Sequence, residues 1–428
     1  MLEDPDRVEY AALNHPITID GETFVIIGVP LENKPGENRV ALTPGNVKVW
    51  TDKGVKVLIQ ANAGKNAGHL DDEYTGAGAE IVDSREDIFK QADIVLQVQS
   101  FGANDVNGED DLALLREGQV IAGLMDPLAS AEVARTLADK KVTGFAMELV
   151  PRISRAQSMD VLSSMATLSG YKAVLMGASA SPRIMPMLMT AAGTLQPARA
   201  FIMGAGVAGL QACATAKRLG AVVEAYDVRP AAREQIVSVG AKPIEFPELE
   251  TESAEGKGGY AKQQSDEFIK RQQELMTEVL AEQDLVITTA AVPGAKSPIL
   301  VTEDMVKAMK PGSVIVDLAA ERGGNCALTK LGETVTAYDV TIIGPENVPS
   351  TIPMHASQMI GKNMEILLGH VIDDNNEIHL DFEDEIIHET VIAHDGTVTH
   401  ARMRDMLGME PLAKPEPAAT ENNEGEAS

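Results

Sequence analysis

The residue types and spacing that point most directly to chemistry are in Gly204-Ala205-Gly206-Val207-Ala208-Gly209. Gly204 permits a tight turn, Gly206 lets backbone approach a pyrophosphate, and Gly209 lets a helix pack closely on a strand. Amides and the positive dipole end at the start of that helix would receive phosphates. Asp227, which closes the next apolar run, could accept both hydroxyls of an adenosine ribose, and a 2′-phosphate there would meet a carboxylate. That favours NAD over NADP. Arg229, two residues past the acid, could in principle hold a phosphate, but Asp227 outweighs it. The bland alternative is a tight turn with no ligand.

Further polar clusters stand elsewhere. Pro151-Arg152-Ile153-Ser154-Arg155-Ala156-Gln157-Ser158-Met159-Asp160 could face a cleft between domains, or Asp160 could cap a helix with the arginines in a solvated turn. Lys257-Gly258-Gly259-Tyr260-Ala261-Lys262 reads as a hinged flap with an exposed aromatic, or as a plain flexible loop. Arg39 could grip a carboxylate bidentately or form a structural ion pair. His69 has no acid partner or metal spacing in sequence and reads as structural, like the other histidines.

These residues need elements to hold them. Residues 199–203 read as an apolar strand, 210–219 as a helix stopped by Gly220, and 221–226 as the next strand. Upstream, short apolar runs at 24–28, 56–60, 93–98, 119–124 and 142–147 alternate with helix-length polar segments such as 44–53 and 131–140. Downstream, runs at 242–244, 285–289, 314–318 and 340–343 continue the series. Such spacing predicts an α/β chain with two Rossmann-like domains built on parallel sheets. Residues 158–192 read as a long connecting helix or helix pair, and 356–368 as another helix. Asp395-Gly396 between 390–394 and 397–400 predicts a hairpin. The expected division is 1–160, completed by about 350–409, as the first domain, and 161–349 as the nucleotide-binding domain. Residues 410–428 read as a disordered acidic tail.

Composition narrows the class. A formal charge of −28 argues against nucleic acid or an anionic membrane as partner. It fits solubility, or a salt-rich cytoplasm that screens the self-repulsion. With 4% aromatic residues, small aliphatics must build the cores. Cys213 and Cys326 lie far apart with no Cys/His cluster, so neither a disulfide framework nor a metal site is expected. The start, Met1 to Asp6, carries no basic-then-apolar signal. The most membrane-like stretch, 174–195, is interrupted by Pro182, Arg183 and Pro186 and falls short of the roughly 20 apolar residues a span requires. A soluble, cytoplasmic protein is expected.

ENRVALTP (37–44), Asn62-Ala63-Gly64, PRISRAQSMD (151–160), GAGVAGLQA (204–212), GGYAK (258–262) and DLAAERGGN (317–325) together resemble the alanine dehydrogenase/transhydrogenase superfamily. The last four strings resemble the NAD(H)-binding alpha subunit of proton-translocating nicotinamide nucleotide transhydrogenase, and the likeness runs from about Thr23 to Leu368. It implies two domains joined by long helices with a cleft between them. It also implies that Gln157 orients the dihydronicotinamide ring through its ribose, that Arg152 and Asp160 steady the loop and its ligand, and that Ser163 contacts the carboxamide. Tyr260 would close over the site. Ile153 and Ser154 would belong to the nicotinamide loop, and Gly204, Gly206, Val207, Ala208, Gly209, Asp227, Val228, Arg229, Gly259 and Ala291 to the ADP-ribose site.

Departures sharpen the resemblance. Where alanine dehydrogenase carries a lysine and a histidine, this chain reads Gln97-Val98-Gln99-Ser100 and Gly123-Leu124-Met125-Asp126. Only Arg39 remains of that substrate set. Oxidising an amine to a ketone needs a general acid–base, whereas direct hydride exchange needs none. The resemblance therefore implies hydride transfer from NADH to NADP⁺ held on a partner subunit. The expected partners are membrane-spanning and NADP(H)-binding subunits and a second copy of the chain. They would hold it at the cytoplasmic face of the inner or plasma membrane. The competing readings are an alanine-type amino-acid dehydrogenase and a non-catalytic NAD-binding regulator.

Overall fold

A computed structural model describes residues 25–246 and 266–412, together with a short antiparallel pair, Thr18–Ile19 and Glu22–Thr23. The Lys257–Lys262 flap and residues 413–428 lie outside the described residues.

The first lobe opens with strands β1 (Ile26–Val29), β2 (Lys56–Gln60), β3 (Glu80–Val82), β4 (Ile94–Gln99), β5 (Val120–Leu124) and β6 (Thr143–Ala146). Helices Pro44–Thr51, Arg85–Gln91 and Glu132–Asp139 fall between them. The first and last of these coincide with the polar segments that the sequence marks as helical. The strands are apolar on both faces because both faces are covered. Ile27, Val29, Val57 and Ile59 enter one core, while Ile26, Leu58, Val95 and Ile121 enter the other. β3 is short, half-exposed and lies at the sheet edge, which is why its pattern escapes a search for apolar runs.

The stretch after Ser158 carries the expected connecting helix only as far as Ala180. Asp160 caps a single helix, α1 (Val161–Ala180), which stops before Pro182. A hairpin follows, β7 (Leu188–Thr190) and β8 (Gly193–Leu195), with every strand residue exposed. Apolar Met and Leu residues there satisfy a helical pattern equally well. The proline and Gly193, whose φ is +129°, decide for the hairpin.

The second lobe comprises β9 (Arg199–Met203), α2 (Val207–Arg218), β10 (Val222–Tyr226), β11 (Lys242–Pro243), β12 (Leu285–Thr288), β13 (Val314–Asp317), β14 (Thr334–Ala337) and β15 (Val340–Ile343). The order across this sheet is β11-β10-β9-β12-β13-β15-β14, parallel except for β14. The chain then returns through α3 (Pro353–Val371) to the first lobe, where β16 (Val391–His394) and β17 (Thr397–Val398) finish the sheet. The first sheet runs β17-β16-β6-β5-β4-β1-β2-β3, with β16 antiparallel to β6. Both sheets are thus mixed at one edge, since β14–β15 and β16–β17 are antiparallel pairs joined by turns of two residues. Asp395 and Gly396 have φ of +40° and +81°, the double left-handed turn that Asp-Gly favours.

Two long helices join the lobes. α1 packs against both α2 and α3, so the chain leaves and re-enters the first lobe beside the same contact.

Candidate functional site

The glycine loop leaves the carboxyl end of β9, which pairs with β10 on one side and β12 on the other. Strand order reverses at β9, and ligands of open α/β sheets bind outside such points. Gly204 has φ of +100°, and a Cβ on Gly209 would lie 1.8 Å from the Gly204 carbonyl oxygen. Both positions therefore require glycine. A Cβ on Gly206 would meet nothing within 4 Å, so the space before the α2 amino terminus is open. Val207 and Ala208 begin α2 with no side-chain cap. These features fit a pyrophosphate resting on the helix start.

Asp227 and Arg229, which the sequence sets as rival readers of the ribose, are bonded to each other. The Arg229 amide and Nε donate to Oδ1, both at 2.9 Å, and Nη2 donates to Oδ2 at 2.8 Å. The Ala205 amide supplies the fourth bond, at 2.7 Å to Oδ2. Burial pushes the carboxyl up, but the Arg229 side chain and these amides outweigh it and hold Asp227 below the usual carboxylate range. A ribose hydroxyl can reach this carboxylate only by displacing the guanidinium. Val228 is half-buried beside the pair, and Ala291 is exposed past β12.

The second cluster sits at the head of α1. Ser154–Met159 forms a 3-10 turn whose Ala156 and Met159 are buried, leaving Arg152, Ser154 and Gln157 exposed and Ile153 packed on the first core. The turn is pinned from outside. Asn363 of α3 donates to the Ser158 carbonyl at 2.7 Å, and Arg155 makes two 2.7 Å bonds to Asp384. Asp160 accepts from the Ser163 amide at 2.9 Å and its hydroxyl at 2.6 Å. Asp160 and Ser163 thus hold each other, and the helix-cap reading describes what Asp160 does here.

Gly170, ten residues along α1 from Asp160, joins the two clusters. Its Cβ would lie 2.0 Å from the Ala208 carbonyl oxygen, so α1 crosses α2 at backbone contact. The rise of a helix puts roughly 15 Å between the Gln157 turn and the glycine loop. Sequence reading overlooked Gly170, whose only signal was a glycine inside an otherwise helical run. Tyr260 and Gly259 lie outside the described residues.

The first lobe offers no spare acid–base at the positions noted above. Gln97 donates to Asp111, which Arg85 also grips with two nitrogens. The Gln99 amide donates to Glu32. Asp126 receives Arg322 from the second lobe at 2.6 Å. Arg39 takes the structural alternative: it is 2% exposed, its Nε and Nη2 bond Glu37 at 2.7 and 2.6 Å, and Asn347 is 3.1 Å away. Burial raises the Glu37 carboxyl, but Arg39 overrides it and brings it down to about 2. His69 stands edge-on to Tyr74. Among the described residues no three metal-ligating side chains cluster, and no helix is long and apolar enough to cross a membrane.

The family models for the alanine dehydrogenase/PNT N-terminal and C-terminal domains match residues 28–169 and 173–401. An NAD(P) transhydrogenase alpha subunit of Rhodospirillum rubrum is 46% identical over 375 residues, covering 87% of this chain and 97% of the relative. Alanine dehydrogenase of Bacillus subtilis is 31% identical over 340 residues, covering 77% and 81%. Among solved structures, the transhydrogenase from Sinorhizobium meliloti superposes with a TM-score of 0.76 at 42% identity, covering 87% of this chain and 99% of that one. The chain belongs to the family of alanine dehydrogenases and NAD(P) transhydrogenase alpha subunits.

Proposed function

We propose that this chain is the NAD(H)-binding subunit of a proton-translocating NAD(P)⁺ transhydrogenase. The carrying observation is the path from phosphate loop to ring loop. α1 ties the glycine loop at Ala208 to a pinned turn that exposes Gln157. Bound NADH supplies the hydride, which passes from its C4 to the C4 of NADP⁺ held on a partner subunit. This chain's residues bind and orient. Gly204, Gly206, Val207, Ala208 and Gly209 cradle the pyrophosphate, Asp227 takes the ribose once Arg229 turns aside, and Val228, Gly259 and Ala291 line the adenosine. Gln157 orients the ring within a loop that Arg152, Ile153, Ser154 and the Asp160–Ser163 pair steady, and Tyr260 closes over it. The two rings must approach to about 3–3.5 Å with water excluded. No proton moves to or from the nucleotide carbons, which agrees with first-lobe side chains already engaged in internal bonds.

In this reading the first lobe, residues 1–160 with 350–409, carries the ring loop, and 161–349 holds the nucleotide. Partners supply the NADP(H) site and the membrane path, and keep the chain at the cytoplasmic membrane face. A proton-motive force is worth about 2.3 kcal/mol per charge per 100 mV, enough to drive a nearly balanced exchange. The exposed β7–β8 hairpin supports a homodimer, since an isolated two-stranded hairpin is marginal in water.

The test is stopped-flow hydride transfer from NADH to an NADP⁺ analogue, with a purified NADP(H)-binding component added. Transfer is expected. Gln157→Asn should slow it at least about tenfold while NADH affinity changes little, because a ring misplaced by about 1 Å loses most of its alignment. Equal losses in rate and affinity would remove the orienting role. NADH oxidation by this chain alone with pyruvate and ammonium would replace the proposal with an amino-acid dehydrogenase. NADH binding with neither activity would replace it with a regulator.

A further inference from the structure

The two lobes meet on one side through α1, α3 and the segment leading into α3, where Asn347 bonds Arg39 and Ser350 bonds Asn38. A second meeting joins the loops at the carboxyl ends of the two sheets. Arg322 Nη2 donates to Asp126 Oδ1 at 2.6 Å, across 196 residues of sequence. Two residues past Asp126, the Leu128 carbonyl oxygen lies 2.3 Å from where a Cβ on Gly294 would stand, so the backbones touch there too.

Each end of the ion pair is fixed to an element of the proposed site. Asp126 follows β5 with φ of +51°, a conformation aspartate tolerates. Its amide and that of Met125 donate to Glu148, four residues before Arg152 at the start of the ring loop. Arg322 ends the 3-10 turn Ala320–Arg322 that follows β13. Its carbonyl accepts from the Ser297 amide at 2.8 Å. Asn325, three residues on, bonds both the amide and the carbonyl of Ala290, next to Ala291. Exposed ion pairs between loose side chains contribute little, because ordering them costs entropy and water screens them. Here the backbone at both ends is already ordered, so forming the pair costs less entropy, although both side chains remain about one-third exposed.

We propose that Asp126 and Arg322 form an ionic latch between the lobes, which sets the placement of the Gln157 loop against the nucleotide held on the second lobe. Both are positioning residues. The latch rests on the function proposed above for its effect on rate, but its effect on lobe separation does not.

The test uses Arg322→Ala, Asp126→Asn, the double variant and Arg322→Lys. Spin labels on cysteines introduced at exposed Asp139 and Glu333 report the distance between lobes, with native Cys213 and Cys326 buried and unlabelled. With NADH bound, Arg322→Ala should broaden or lengthen that distance, and high NaCl should do the same to the wild type but not to the variant. Single-turnover hydride transfer should slow about three- to fivefold in each single variant, with NADH affinity altered less than about twofold. The double variant should be no slower than the singles, and Arg322→Lys should recover most of the rate. An unchanged distance distribution in Arg322→Ala, or one indifferent to salt in the wild type, would overturn the latch. A rate loss matched by an equal affinity loss would overturn its positioning role. If the wild type exchanges no hydride while the distance still responds to Arg322→Ala and to salt, the functional reading fails and the latch stands.

Discussion

Glu148 shows how one carboxyl can be committed by its surroundings. Oε1 accepts the Met125 and Asp126 amides, while Oε2 is sealed from water with no partner among the described residues. Burial is the largest influence and raises the group to about 7; the amides oppose it, and the Asp126 charge adds to it. Its folded value therefore lies above its unfolded value of 4.5. The folded state holds the extra proton between these values, so the stability this group contributes is fully present below about 4.5 and is lost as pH rises through about 7. Glu32, raised to about 8 mainly by burial and then by Glu37, acts in the same direction. Glu148→Gln keeps an oxygen for both amides and removes the charge. Denaturant unfolding between pH 5 and 8 should show a shallower loss of stability in the variant, with the Glu32 share remaining. A slope identical to the wild type would show that Glu148 does not titrate in this window.

At the scale of elements, the crossing of α1 over α2 decides where the glycine loop stands relative to the Gln157 turn. Glycine inside a helix is intrinsically unfavourable by about 0.8–1.0 kcal/mol relative to alanine. On propensity alone, Gly170→Ala should stabilise. The added methyl would lie 2.0 Å from a backbone oxygen, however, and a carbonyl cannot rotate away as a flexible side chain can. Overpacking costs typically about 1–3 kcal/mol, so the clash should win. The variant should unfold at lower temperature and bind NADH more weakly, as calorimetry and fluorescence titration would show. An unchanged or raised melting temperature would mean that the helices separate without cost. Gly177 differs, because the nearest atom there is the flexible Leu285 Cδ1 at 2.3 Å.

For the whole molecule, the β7–β8 hairpin presents exposed apolar side chains that the proposed homodimer would cover. Met189 is 76% exposed, and Met187, Leu188 and Leu195 are each about half exposed. A charge of −28 disfavours casual association of two copies, so a dimer needs a specific apolar contact of this kind. Met189→Asp should shift sedimentation from dimer toward monomer at micromolar concentration while leaving the far-ultraviolet circular dichroism unchanged. A dimer as tight as the wild type would place the interface elsewhere.

By itself the sequence determined the strand series of both lobes apart from the edge strands β3 and β14, together with the glycine loop and the Asp395-Gly396 turn. Each is a local pattern: short apolar runs covered on two faces, a left-handed φ at Gly204, and two left-handed residues in succession. It also placed neither lysine nor histidine at 97–100 or 123–126. Tertiary structure decided the partners. Whether Arg39 takes an outside carboxylate or Glu37, whether Arg229 opposes Asp227 or saturates it, and whether residues 188–195 continue a helix all depended on packing and on atoms brought together in space. Asp126 and Arg322 mark the limit most clearly. Nothing in their local spacing relates them, and only the meeting of two separately folded sheets brings their charges to 2.6 Å.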